Sequence, residues 1–409
     1  MGRVGERESR QAPVVVLGSA SATLLGVVRG FGRRGIPVLV ISGSPSSAGA
    51  LRSRYIKRCF FIRTWSSQEL AAVLEEIGPE AGENPLVVLP TSDASLLAFN
   101  ALRGGEDSRF KDALPEKSLL ETCLSKALFA DRVQALGIIH PPAVSVRNEA
   151  ALSAAADREW VYPVILKPDY SHLFVQAYGK KVLLAGDARE LRREGKQLLQ
   201  NGLPFLVQAH IPGRAFYQVC YYHHPERGFW KGLCLEKVRQ LPPDNGVGTL
   251  VTLAERPEMV ALARQIVERL GLRGQGEVEF KLDPETQEAC LLEINARPVT
   301  FNRLCARCGL DAEYLYYLDS LGLSFPEEEL SPSISAGDGW LDFRRDVSGL
   351  VKDWRQLSRG LRMGGVRVHA YWAADDPQPF QTEWWGSLKW LFDWLVRRRP
   401  RKNGPAGRP

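Results

Sequence analysis

Several classes of protein are excluded by what this chain lacks. Its seven cysteines, Cys59, Cys123, Cys220, Cys234, Cys290, Cys305 and Cys308, are odd in number and follow no framework spacing. A disulfide-stapled scaffold is therefore excluded, and reduced thiols are expected. Cys305-Ala-Arg-Cys308 has CxxC spacing but no second pair and no accompanying histidines, so it reads as two packed helical thiols rather than a metal clip. Residues Met1 to Ala12 are polar and charged, without the apolar core of a signal peptide. No run of about 18 apolar residues occurs, so no spanning helix is expected and the protein is read as cytoplasmic. Internal repeats are absent. The formal charge of +6 over 409 residues is too small and dispersed for a nucleic-acid binder, yet suits a handler of anionic ligands.

What is present is ordinary globular material, 44% hydrophobic and 24% charged, long enough for two or three domains. Val14 to Leu17 is a β-branched apolar run ending at Gly18-Ser-Ala-Ser-Ala22. Helical spacing follows through Leu24, Leu25, Val28 and Phe31 to Gly35, and Val38 to Ile41 is a second buried run. Leu86 to Leu89 is a further strand, ending at Pro90-Thr91-Ser92-Asp93. This alternation predicts a doubly wound parallel α/β domain over 13–115, after a flexible N-terminus over 1–12. The Gly18–Ala22 turn lacks GxGxxG. It fits either a phosphate cradle at a helix N-terminus or simply a tight strand-to-helix turn.

From 116 to 325 the texture is α+β. Helices are expected at Leu124–Leu136 and Glu258–Leu270, each stopped by glycine. Strands are expected at Val161–Leu166, Phe205–Gln208, Tyr217–Tyr222, Gly276–Leu282 and Ala289–Asn295, with Asp283-Pro-Glu-Thr286 turning the last pair. Residues 326–332 read as a linker within a C-terminal extension, 326–396, which holds weak helices and a short strand near Val366–Tyr371. Its last helix, Glu383–Arg398, places Trp384, Leu388, Leu391, Phe392 and Leu395 on one face. That helix suits docking on the protein itself or a partner, or lying on an anionic membrane. Residues 397–409 are basic, rich in Pro and Gly, and expected to be disordered.

The chemistry concentrates in the final hairpin. Side chains alternate along strands, so Glu277, Glu279 and Lys281 share one face, while Glu293, Asn295 and Arg297 share a face of the return strand. Val278, Phe280, Leu292 and Ile294 then point the other way. Carboxylates gathered this closely repel unless a cation lies between them. Magnesium prefers such carboxylate and amide oxygens together with phosphate oxygens, and Arg297 offers a permanently charged fork. Upstream stand further cations: Lys126 after Ser125, Lys167 at a strand end before Pro168, and Lys237 with Arg239 on one extended segment.

In this order the residues resemble the ATP-grasp superfamily. The matching stretches are Tyr162–Pro168, the hinge Val207-Gln-Ala-His-Ile-Pro-Gly213, Glu279-Phe280, and Glu293-Ile-Asn-Ala-Arg297. The resemblance runs from about Val14 to Leu321. It is closest to the stand-alone carboxylate–amine ligases that include D-aspartate ligase, a placement supported by Lys237-Val-Arg239 and Asn245–Leu250. It implies an N-terminal parallel α/β domain followed by an ATP-grasp fold, two α+β subdomains clamping ATP. It also implies roles. Lys126 and Lys167 would contact nucleotide phosphates; Gln208, His210 and Ile211 would line the adenine pocket; Glu279, Glu293 and Asn295 would hold magnesium or manganese. Lys237, Arg239 and Arg297 would face the γ-phosphate or an acyl phosphate.

Two departures stand out. Ala209 occupies a hinge position where many relatives carry glutamate. The loop after Lys167 is poor in glycine before Gly179, with Lys180 or Lys181 as compensating cations. The implied activity is ATP-dependent ligation of a small carboxylate to an amine, by a protein expected to be dimeric. An ATP-dependent carboxylase is the alternative, weakened in its biotin form by the lack of a Met-Lys carrier motif; a non-catalytic ATP-binding scaffold is the second. Thr91, Ser92 and Asp93 are read equally as acceptor-pocket residues and as a strand-end turn.

Overall fold

The computed structural model describes residues 11–82, 84–104, 109–169, 182–243, 246–326, 335–362 and 365–385. Three sheets organise them. The first is wholly parallel, in the order β3-β2-β1-β4-β5: β1 Val14–Leu17, β2 Val38–Ser42, β3 Ile56–Phe61, β4 Leu86–Pro90 and β5 Phe110–Lys111. Helices Ala22–Gly32, Ser67–Ile77 and Asp93–Leu102 connect its strands. The apolar runs at β1, β2 and β4 are fully buried, as two-sided cover of a parallel sheet requires. β3 was not foreseen, because Lys57 and Arg58 at this sheet edge are exposed and interrupt any apolar run.

The second sheet is antiparallel, in the order β6-β9-β7-β8: β6 Ala143–Val146, β7 Val164–Pro168, β8 Leu183–Ala185 and β9 Phe205–Ala209. The expected strand at Val161 starts three residues later, and Val161 itself is 89% exposed. The third sheet has seven strands, β14-β13-β10-β11-β12-β15-β16. They are β10 Phe216–His224, β11 Phe229–Leu241, β12 Val247–Ala254, β13 Gly274–Leu282, β14 Ala289–Asn295, β15 Asp338–Leu341 and β16 Gly365–His369. The helix Pro257–Leu270 ends where Gly271 takes the left-handed conformation expected of a helix-stopping glycine. In the β13–β14 turn, Asp283 Oδ1 accepts from the backbone N–H of Glu285 at 2.8 Å and of Thr286 at 3.2 Å.

One apolar core runs from the parallel sheet through Tyr222, Leu235, Val251 and Trp340 of the long sheet, so the two pack directly against each other. The helix Asn302–Arg307 lies on Ala22–Gly32, and just beyond it Glu313 is buried with Oε2 lacking a partner. Burial, and then the neighbouring Asp311, pushes its carboxyl up to about 7, against the pull of Arg303 and Arg34.

The C-terminal extension grips both halves. Asp376 accepts from Arg29 Nε at 3.0 Å and Ser53 Oγ at 2.7 Å, all three buried. The helix Phe343–Lys352 lies across β11 and β12. No described helix is long and apolar enough to cross a membrane. The expected linker over 326–332 lies almost wholly outside the described residues, as do residues 386–398 of the expected aromatic helix. The stretches 1–10 and 397–409 also lie outside them. All seven cysteines are free.

Candidate active site

A cavity of about 530 Å³ opens where the three sheets meet. The parallel sheet contributes the ends of β1 and β4. Gly18 makes the first turn possible, since a Cβ there would stand 2.1 Å from Thr91 Oγ1. Thr91 donates to the Leu17 carbonyl, and Ser92 caps the helix Asp93–Leu102, so the Pro90–Asp93 turn is self-satisfied even though Thr91, Ser92 and Asp93 line the cavity. Ser19 lines it too; within the Gly18–Ala22 turn Ala20 N donates to Ser44 Oγ at 2.8 Å, and Ser21 Oγ accepts from Leu24 N at 3.2 Å.

Lys126 and Lys167 are brought together by one side chain. Asp169, just past β7, accepts from Ser125 Oγ at 2.6 Å and from Ala127 N at 3.1 Å. It thereby caps the helix Lys126–Ala135 against the exit of β7. Both lysines reach the cavity.

The hairpin supplies the opposite wall. Glu279 pairs across the ladder with Glu293, and Glu277 with Asn295. On the other flank, Gln218 of β10 lies opposite Glu279. Lys237 Nζ stands 2.9 Å from Glu279, and Lys126 Nζ 2.9 Å from Glu293. Arg297 donates to Asp93 at 2.5 Å and to Asn295 Oδ1 at 3.2 Å. Asn295 donates to Glu293 at 3.3 Å. Glu279, Glu293, Asn295, Arg297, Lys126, Lys167 and Lys237 thus converge, and Glu277 joins them.

Strict alternation fails at two places. The ladder slips after Glu279, so Leu292 is an extra residue and lines the cavity beside Glu293; Leu291 and Ile294 face the core instead. A second slip, on β11, separates Lys237 from Arg239. Lys237 and Gln240 reach the cavity, and Arg239 does not. Its guanidinium forks onto Asp346 of the helix Phe343–Lys352, at 2.8 and 2.7 Å, and Thr249 donates to the same carboxylate at 2.8 Å. Gln208 is buried on β9, opposite Ile165 of β7; His210 and Ile211 follow it, and none of the three lines this cavity. Lys181 and Lys180 lie outside the described residues. Gln218, Gln240, Trp65 and Asp346 were not singled out from sequence; none sits in a recognisable motif.

The electrostatics are unequal. Burial, then repulsion from Glu279, pushes the Glu277 carboxyl up to about 7. Burial pulls the Lys167 amine down to about 8, and the Glu293 carboxylate only partly opposes this. Lys167 makes no ion pair among the described residues. Gln218 donates to Glu277 and, at 3.2 Å, to Glu279, leaving its buried Oε1 unpartnered. Among the described residues no three acidic, His or Cys side chains stand in ligating geometry as placed, since Glu279 and Glu293 each lean on a lysine. The wall is nevertheless rich in oxygen donors with an acceptor left over, and the donor set suits a hard divalent cation.

The family model for the carbamoyl-phosphate synthase L chain, ATP binding domain, matches residues 248–303, the stretch that carries this hairpin. N5-carboxyaminoimidazole synthetase from Staphylococcus aureus superposes with a TM-score of 0.60 at 13% identity, over 78% of this chain and 81% of that one. This chain has the ATP-grasp fold. An L-amino acid ligase from Bacillus licheniformis gives 0.59 at 15% identity, over 79% of each chain. The biotin carboxylase domain dimer of 2-oxoglutarate carboxylase from Hydrogenobacter thermophilus, solved with MgADP, ADP and bicarbonate, gives 0.61 at 15%, over 77% of this chain and 71% of that one. No curated protein matches by sequence. At these identities the likeness is one of fold, and ATP-grasp enzymes of that fold include both ligases and carboxylases.

Proposed function

We propose that the protein is an ATP- and magnesium-dependent ligase that activates a small carboxylate as an acyl phosphate and joins it to an amine, releasing ADP and phosphate. One observation carries this reading. Four carboxylates and three side-chain amides meet four cationic side chains in a single cavity at the junction of the three sheets. Phosphoryl transfer asks for this kind of charge neutralisation and positioning more than for acid–base groups.

In this reading Glu279, Glu293 and Asn295 hold the metal, with Glu277 beside them and Gln218 Oε1 as a further oxygen. Magnesium, when bound, supplies the charge that lets β- and γ-phosphate oxygens sit against the carboxylates. Lys126 and Lys167 hold phosphate oxygens, and each is released from its present environment when they do. Lys237 and Arg297 steady the transferred phosphoryl group and the acyl phosphate formed from it. Gln208, His210 and Ile211 belong to the adenine side, on the sheet that carries Lys167. Arg239 acts at one remove, fixing the β11 irregularity that turns Lys237 and Gln240 inward. Ser19, Thr23 and Trp65, with Thr91–Asp93, form the acceptor end of the cavity. The chain is divided at about 115 and 325 between the parallel domain, the ATP-binding unit and the extension, and is taken to act as a homodimer.

The test is a panel of amino acids and carboxylates scored by ADP and phosphate release, with product masses. ADP formed only when a carboxylate and an amine are both present supports the ligase. Bicarbonate-dependent ADP release without an amine makes it a carboxylase. ATP binding with no ADP release under any pair makes it a scaffold.

A further inference from the structure

Eight of the fourteen large apolar side chains exposed among the described residues fall between Phe343 and Trp385. They are not scattered. Phe343, Val347 and Val351 are spaced four apart on the helix Phe343–Lys352 and form a stripe facing outward. The inner face of the helix carries Asp346 and Gly349, both buried. Trp354, 76% exposed, follows the 82% exposed Val351. At the other end, Phe343 and Trp384 bring their rings within 6.3 Å, and an apolar cavity of about 320 Å³ opens between this helix and Trp372. A continuous apolar face of this kind is uncommon on a protein that contacts only water.

The chain's charge follows this face directly in the sequence. Residues 386–409, read from sequence alone, hold seven Lys or Arg against one Asp, which equals the whole net charge of +6. They begin directly after Trp385, and Trp390 and Trp394 precede Arg397-Arg398-Arg399. Tryptophan prefers the headgroup level of a bilayer, where its ring is half in apolar surroundings. Each basic residue held near an anionic leaflet strengthens binding roughly fivefold. A protein groove would use the stripe but has no need of the entire net charge in the stretch of sequence that follows it.

We propose that this face binds the surface of an anionic lipid bilayer. The Phe343–Val347–Val351–Trp354 stripe enters the acyl boundary, and the basic C-terminal residues lie on the headgroups. The proposal does not depend on the ligase reading.

The test is co-sedimentation of the full chain with vesicles of phosphatidylcholine alone and of phosphatidylcholine mixed with phosphatidylglycerol. The full chain is expected to pellet with the mixed vesicles only, and less as salt is raised. Val351→Glu with Trp354→Glu should abolish pelleting without moving the thermal midpoint. Val161→Glu, at a site equally exposed but remote from the stripe, should change nothing. Replacing Arg397, Arg398 and Arg399 by serine should weaken binding roughly a hundredfold. Three results overturn the proposal. One is equal pelleting of the full chain with both vesicle types, or with neither. Another is pelleting only by a chain ending at Trp385, which would mean that residues 386–396 cover the face. The third is a dimer, seen without vesicles, that the double glutamate variant dissociates.

Discussion

Lys167 offers the most direct test of the phosphate-binding assignment. Burial holds its amine near 8, against an ordinary value of 10.5. At pH 9 roughly nine-tenths of the free protein therefore carries this side chain neutral. A nucleotide phosphate beside it favours the charged form, and full return to the ordinary value corresponds to about 3 kcal/mol of coupling. Binding should then take up close to one proton per nucleotide at pH 9, and about a tenth of one at pH 7. Affinity should fall by up to roughly tenfold for each pH unit above 8. Titration calorimetry in two buffers of different ionisation enthalpy counts those protons. Lys167→Met should bind more weakly at pH 7 and show neither the uptake nor the slope. An unchanged uptake in Lys167→Met, or none in the parent protein at pH 9, refutes the assignment.

Three further outcomes follow from the geometry. Glu293→Ala and Asn295→Ala should each cost about 10² to 10³ in ADP formation while the circular dichroism spectrum stays that of the parent; near-normal turnover removes the metal assignment. Asp346→Ala frees Arg239 and lets the β11 irregularity relax, so turnover should fall by roughly tenfold or more; Asp346→Glu should restore part of it, and the nucleotide's dissociation constant should move less than the rate. Glu313 sits near 7 in the folded chain and near 4.5 when unfolded, so its folded form binds the extra proton. Its contribution to stability is therefore fully present below about 4.5 and is lost as pH rises through 7. Glu313→Gln should flatten the thermal midpoint across that window, and an unaltered slope would assign it to other groups.

The strands with unbroken apolar runs, β1, β2 and β4, were legible residue by residue, because a parallel sheet buried on both faces leaves no room for polar interruption. The hairpin that gathers Glu279, Glu293 and Asn295 was legible from alternation plus a turn with an aspartate at its start. Alternation also set the limits of the reading. Nothing in Leu291-Leu292 announces which leucine is the extra one, and the choice is made by packing under β13. Arg239 looked like a partner of Lys237 because the two lie two positions apart on one strand. Its true partner, Asp346, lies 107 residues on, on the polar side of a helix whose apolar stripe faces outward, so no local pattern links the two. Gln218 was invisible for a similar reason: its importance comes from the strand it lies against.

The helix Phe343–Lys352 joins two jobs that protein engineers would prefer to keep apart. Its outer side is greasy, and a shortened chain ending before it would be the ordinary remedy for poor solubility. Its inner side holds the carboxylate on which Arg239 rests, so that remedy would also loosen the strand bearing Lys237. A soluble but sluggish truncated protein would then be misjudged as inactive. Surface substitutions at Val351 and Trp354 separate the two jobs, and they are the better starting point for crystallisation and for assay alike.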